Sequence, residues 1–302
     1  MVEFMASVDW GLQVFRIFLL AAGAAFGSFL AATAWRLPRD RSLFTPSQCV
    51  HCGTRIPAGA LLPVVGWLLT KGRCSSCGGR VSPHYAVVEA VTAVLTLATF
   101  EILGPTSYVL ADVTSWVAGP LGTPLGRLRH DYVWDLGISL WLLYTGVVLS
   151  LIDWEFRILP DVITLPGILI GFLVSWGDPS RGWLFSLAGV LSGAGSLWLI
   201  AVAYRSLRGR DGMGLGDVKY LGMIGAVLGW SGVLWTMMMA SLVGSVAGLA
   251  FGLWSRMRSN ESGGTPTAAL QVAIPFGPFL AAAAFAYSLF SDYFLGFLGA
   301  AP

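Results

Sequence analysis

Between Lys219 and Arg256 the chain runs 36 residues, Tyr220–Ser255, without a charged side chain. One membrane-crossing helix needs about 20 residues, so this run is expected to cross twice, folding back near Gly229–Gly232. Other uncharged runs are Ile17–Trp35 (19 residues), Leu136–Ile152 (17), Val162–Gly177 (16) and Gly182–Tyr204 (23). Ser262–Ser291 contributes a last helix, and Tyr85–Leu103 is apolar with Glu89 and Glu101 near its ends. The expectation is an all-α polytopic membrane protein with about eight transmembrane helices. Composition agrees: 56% of the 302 residues are hydrophobic and 11% charged, against about 25% charged in a soluble domain. Disorder, a nucleic-acid-binding surface and a soluble two-domain enzyme are excluded, and the lipid bilayer is the first partner. The first segment does not read as a cleaved signal peptide, because Glu3 and Asp9 precede Arg16 and the apolar stretch is too long.

Basic residues choose the orientation. Alternating spans put 14 of the 18 Lys and Arg on one face, among them Arg36, Arg55, Arg80, Arg157, Arg208, Lys219 and Arg256. That face is expected to be cytoplasmic, with both termini outside. The layout is then a first span (1–35), a cytoplasmic insert (36–84) and a membrane core (85–302) with an external loop at 104–135. Small-residue pairs four apart, including Gly23/Gly27, Gly167/Gly171, Gly189/Gly193 and Gly225/Gly229, suit close helix packing in lipid. No internal repeat is evident.

All four cysteines fall within the insert, as Cys49-x2-Cys52, 21 residues, then Cys74-x2-Cys77. Two such pairs can supply the corners of a tetrahedral zinc site. A reducing cytosol keeps thiols available, and a short insert needs added stabilisation. Structural zinc is expected; two disulfides or a redox dithiol are the alternatives, and His51 could compete as a ligand. His84 and His130 read as structural.

Few acids occur in so much apolar chain, and an intramembrane carboxylate is costly unless paired or functional. Asp153 follows the run ending at Ile152, and Asp217 lies in Gly214-Leu215-Gly216-Asp217 before the run from Tyr220. Brought together, two carboxylates share one proton near neutral pH. The ionised member can then take a proton from water while the protonated one polarises a carbonyl. Gly214 and Gly216 would let a substrate strand approach. The alternative is helix capping, since an Asp at a helix start is a common N-cap. Asp161 reads as a cap or a substrate contact, and Glu89 as a partner for a basic residue of the insert or a substrate contact. Lys219 either tunes Asp217 or snorkels to the interface.

Taken together, these segments resemble the bacterial type IV prepilin peptidases, membrane aspartyl proteases of type IV pilus and type II secretion systems. The likeness runs through Gly27-Ser28-Phe29-Leu30 with Arg36-Leu37-Pro38, the cysteine pairs with Gly66-Trp67-Leu68 and Lys71-Gly72-Arg73, and Ser82-Pro83-His84-Tyr85 with Glu89. It continues in Ile152-Asp153 to Leu159-Pro160-Asp161 with Thr164-Leu165-Pro166, in Met213–Lys219, and in Ile274–Phe279. The resemblance implies catalysis by Asp153 and Asp217. It implies cleavage of the basic leader of a prepilin or pseudopilin after a glycine, at the cytoplasmic face of the inner membrane. It also implies N-methylation of the new N-terminus from S-adenosylmethionine. Arg39–Ser42, Ala60–Pro63 and Gly66 depart from the family pattern. An intramembrane protease cutting within substrate helices, like the presenilin group with its G-x-G-D motif, is the alternative.

Overall fold

A computed structural model describes residues 2–103, 124–177, 181–209, 214–261 and 275–297. In hydrocarbon a backbone amide finds no water, so apolar runs close their hydrogen bonds internally as helices. The helices are α1 (Val2–Arg36), α2 (Val65–Leu69), α3 (His84–Leu103), α4 (Pro124–Phe156), α5 (Asp161–Gly177), α6 (Gly182–Arg208), α7 (Leu215–Glu261) and α8 (Gly277–Phe297). Five contain segments long and apolar enough to cross a membrane, and α5 and α8 are shorter apolar helices. The fold is an all-helical, multi-pass membrane protein.

Helix α7 has 47 residues, about 70 Å if straight, more than twice the hydrocarbon thickness. It breaks at Gly229, whose φ of 70° and ψ of −175° are not helical. The break lies in the Gly229–Gly232 window, and the apolar helical segments number eight when the two halves of α7 are counted separately. Other boundaries differ from expectation. Helix α1 begins well before Ile17, and α4 begins at Pro124, so residues 124–135 of the expected external loop are helical. Backbone hydrogen bonding does not stop where an apolar run stops. Residues 104–123 of that loop, and 262–274 of the expected last helix, lie outside the described residues.

The chain forms two compact units, Met1–Val148 and Leu149–Pro302. In the first, α1 lies along α3. A Cβ on Gly23 would stand 2.9 Å from the Ala93 backbone, and one on Gly27 2.9 Å from that of Glu89. Thr92, Thr96 and Thr99 are buried on α3 and return their hydroxyls to carbonyls one turn back. Arg16 of α1 meets Glu101 of α3 at 2.6 Å, so these charges within apolar helices are paired.

In the second unit the first half of α7 is enclosed: Tyr220, Leu221, Met223, Ile224 and Ala226 are at most 1% exposed. The Ala226 carbonyl accepts hydroxyls from Ser175 of α5 (3.0 Å) and Ser186 of α6 (2.7 Å). Polar side chains thus fasten three helices where apolar attraction alone is weak in lipid. Helices α6 and α7 meet backbone to backbone at Gly189 and Gly225, where a Cβ on either would penetrate the other's carbonyl. Gly189→Val and Gly225→Val should each cost about 1–3 kcal/mol through overpacking and lower the thermal midpoint in detergent. Gly195→Val, with open space around its Cβ position, should leave it unchanged.

Candidate active site and metal centre

The insert carries two turns of matching construction. In the first, Cys49 N–H donates to the Thr54 carbonyl (2.9 Å) and Gly53 N–H to the Cys49 carbonyl (2.9 Å). In the second, Cys74 N–H donates to Gly79 (2.8 Å) and Gly78 N–H to Cys74 (2.9 Å). Gly53 and Gly78 take φ values of 70° and 69°, a left-handed conformation glycine adopts without strain. Bridges Gln48–Arg55 and Arg73–Arg80 close the turns. Both turns read Cys-x2-Cys-Gly-x-Arg, so a short repeat exists here where none was expected.

The turns bring four sulfurs together, all within 4.8 Å of one another. Cys49 and Cys77 are 3.8 Å apart, and Cys52 and Cys74 4.0 Å. A tetrahedron with Zn–S arms of about 2.3 Å has an edge of about 3.8 Å, so the cluster fits a zinc-binding insert. No disulfide joins them. The His51 ring reaches the Arg80 carbonyl at 3.2 Å instead of completing the cluster. The Thr54 hydroxyl and amide bring the Cys52 thiol down to about 6. Backbone N–H groups of Cys77 and Ser76 lower that of Cys74. Metal ligation needs this thiolate form.

Glu89, buried on α3, accepts the Val64 N–H at 2.6 Å. Val64 has φ 60° and ψ −54°, and Val65 N–H reaches the Pro63 carbonyl at 2.6 Å. This is a γ-turn of the rare, strained form. The Glu89 partner is thus a strained backbone amide of the insert, rather than a basic side chain.

The two aspartates occupy opposite helix ends. Asp153 lies in the last turn of α4 and is 6% exposed. Asp217 lies in the first turn of α7 and is half-buried. An acid suits a helix N-terminus, but at a C-terminus it opposes the helix dipole. Capping therefore accounts for Asp217 alone, and Asp153 needs another reason. Its Oδ2 accepts the N–H of Gly277 at 2.8 Å, the first residue of α8, whose initial amides have no partner within their own helix. The carboxylate of one helix end thus meets the donor end of another. A Cβ on Gly277 would stand 2.7 Å from that oxygen, so glycine is what allows the approach.

Around this pair, the segment after α4 turns at Arg157, with φ 57°, and Leu159 becomes buried. A Cβ on Gly216 would touch the Leu159 side chain at 3.0 Å. Among the described residues, only the Gly216 amide comes within 4 Å of the Gly214 Cβ position. Lys219 Nζ donates to both oxygens of Asp161 at 2.7 Å, tying the start of α7 to the start of α5. Met213 lies outside the described residues. Gly277 and Tyr220 were not singled out from sequence. The Pro275–Pro278 motif was the available signal for Gly277, and an amide donor has no side chain to draw attention.

These are the features of the chain: apolar helices, a four-thiol insert and a carboxylate at each of two helix ends. Residues 21–102 match the bacterial peptidase A24 N-terminal domain, and 139–253 match the type IV leader peptidase family. The chain is 34% identical to a prepilin leader peptidase/N-methyltransferase of Pseudomonas putida, over 89% of this chain and 88% of that one. It is 31% identical to one of Stutzerimonas stutzeri, over 96% and 95%. To one of Pseudomonas aeruginosa it is 32% identical, over 82% and 72%. No solved structure matches. The chain belongs to the type IV leader peptidase family.

Cys49→Ser with Cys52→Ser should reduce bound zinc from about one per chain to near zero by elemental mass spectrometry, since two thiolates no longer close a structural site. Limited proteolysis should then cut the insert first.

Proposed function

We propose that this chain is an aspartyl endopeptidase of the cytoplasmic membrane. It removes the short basic leader of type IV prepilins or pseudopilins after a glycine, at the cytoplasmic face, and then N-methylates the new N-terminus. The observation that carries the reading is geometric: Asp153 is oriented by the Gly277 N–H, and the Asp217 segment packs through Gly216 on Leu159 of the segment that follows Asp153.

The pair works by holding a single proton between two carboxyl groups. Because Asp153 Oδ2 accepts a backbone N–H, any proton Asp153 carries sits on Oδ1, facing away from Gly277. The ionised carboxylate takes a proton from water as that water attacks the scissile carbonyl. The protonated one donates to the carbonyl oxygen, and collapse of the tetrahedral intermediate returns a proton to the leaving amine. Gly214 and Gly216 precede Asp217, and the open surroundings of Gly214 among the described residues leave room for an extended leader. The Lys219–Asp161 pair holds the two aspartate-bearing segments in register. It also neutralises a cation that would otherwise repel a basic leader.

Cys49, Cys52, Cys74 and Cys77 would hold a zinc ion that stabilises the insert, and with all four thiolates engaged the metal would serve structure rather than catalysis. S-adenosylmethionine, when bound, supplies the methyl group. The substrate geometry supports the reading, because a prepilin presents a basic leader just before an apolar helix. A carboxylate pair at helix ends meets that junction at the membrane edge.

Asp153→Asn and Asp217→Asn, each alone, should leave a co-expressed prepilin at its uncut mass while the enzyme still inserts; full processing by either variant would overturn the assignment. The mass of the wild-type product tests the rest. A cut inside the apolar helix would favour a protease acting within substrate helices, and an unmethylated N-terminus would remove the second activity. Gly277→Ala should lower kcat by about 100-fold through displacement of the Asp153 carboxylate, with KM little changed.

A further inference from the structure

The insert has a feature that neither metal binding nor proteolysis uses. Leu61, Leu62, Val65, Leu68 and Leu69 are 44–73% exposed. Five large apolar side chains in nine residues, on and beside α2, form an apolar edge left uncovered by the described residues. Beside it lies an open cleft of about 490 Å³, lined by residues that include Trp67, Lys71, Arg73, Arg80, Ser82 and Pro83. Its walls are held by the Arg73–Arg80 bridge, by Val81 N–H on the Gly72 carbonyl (2.8 Å) and by Trp67 Nε1 on the Val81 carbonyl (3.2 Å). Three cations line it and none of its lining residues is acidic.

The depth of this edge relative to the bilayer follows from Glu89. The membrane-spanning helix α3 starts at His84, directly after Ser82 and Pro83 of the cleft. Glu89 lies five residues further in, about 7.5 Å along the axis at 1.5 Å per residue. Its carboxylate holds the Val64 amide, the residue that opens α2. Helix α2 is therefore tied to the first turns of a membrane span, at the level where headgroups give way to hydrocarbon.

We propose that this edge of the insert is seated on the bilayer itself: the leucines of α2 enter the acyl boundary while Lys71, Arg73 and Arg80 hold the phosphates of anionic lipids. An apolar face with an adjoining cationic rim, carrying a tryptophan at headgroup level, is the chemistry of an interfacial membrane contact. A basic leader is repelled by the three cations that line the cleft, so substrate is not the occupant. The inference rests on the spans and the insert, and stands whether or not the chain cleaves prepilins.

The test uses the full chain in lipid nanodiscs, with p-benzoylphenylalanine in place of Leu69 and mass spectrometry of adducts after irradiation. The bilayer is phosphatidylcholine with phosphatidylglycerol as the minor component. Position 69 should capture phospholipid, with phosphatidylglycerol enriched about fivefold over its share of the bilayer. Lys71→Glu with Arg73→Glu and Arg80→Glu should return capture to the bulk composition, and Lys71→Gln alone should reduce the enrichment partway. The same photoreactive group at exposed Val94, within α3, reports insertion of every variant by capturing lipid. Added inorganic phosphate should leave the enrichment in place. The proposal is overturned by capture without enrichment, by adducts only to protein, or by no lipid capture at 69 while 94 captures. Loss of enrichment with inorganic phosphate would identify a free-anion site instead of a lipid one.

Discussion

A backbone amide inside hydrocarbon must find its partner within the protein, and in this chain that requirement leaves helix ends as the places where polar groups have work to do. Along a helix every N–H is satisfied; at its start the first amides are not. Gly277 opens α8 with such an amide, and Asp153 closes α4 with a carboxylate that its own helix disfavours. The 2.8 Å hydrogen bond between them satisfies both. It also fixes one oxygen of the carboxylate. The absence of a Cβ at Gly277 makes this geometry possible, so a backbone position governs the orientation of an acidic side chain.

The same requirement explains why glycine and serine, rather than leucine, bind the second unit together. Lipid is as apolar as leucine, so helix association there depends on close approach and on hydroxyl donors. Gly189 and Gly225 supply the approach, and Ser175 and Ser186 converge on the Ala226 carbonyl. These contacts fix the half of α7 whose first turn carries Asp217. Tyr220 and Leu221 are fully enclosed one turn further on. The carboxylate thus projects from the best-packed segment of the unit, which is what a preorganised site requires.

Much of this was legible from residues alone, for reasons of local physics. Charge is so costly in lipid that uncharged runs mark helices, and their lengths alone exposed the break in α7. Glycine at 229 was a credible place for it because φ near 70° suits little else. Four cysteines in two short turns specify a cluster, since the spacing within each pair dictates the turn. Boundaries were less legible. Helices α1 and α4 extend beyond their apolar runs because hydrogen bonding, unlike hydropathy, does not change at a charged residue. Partners distant in sequence were not legible. Lys219 on Asp161, Glu89 on Val64 and Gly277 on Asp153 are separated by 58, 25 and 124 residues, and two of the three acceptors take backbone amides that no side-chain pattern reveals.

Glu89 shows how a buried acid can be held by a backbone amide rather than by a base. Its carboxylate receives a 2.6 Å hydrogen bond from Val64, a β-branched residue held at positive φ where a strained turn is otherwise unfavourable. A charged acceptor strengthens such a bond relative to a neutral one, and burial removes competing water. The strain in the turn is thereby offset by an acceptor projecting from the membrane helix. Gly27 of α1 packs against the backbone of the same residue, so α1, α3 and the insert converge at Glu89. The position of the insert relative to α3 is consequently set by a side chain of that helix, rather than by the length of the connecting loops. A small domain fastened in this way can hold a constant depth at the interface, which a domain tethered only by its loops could not.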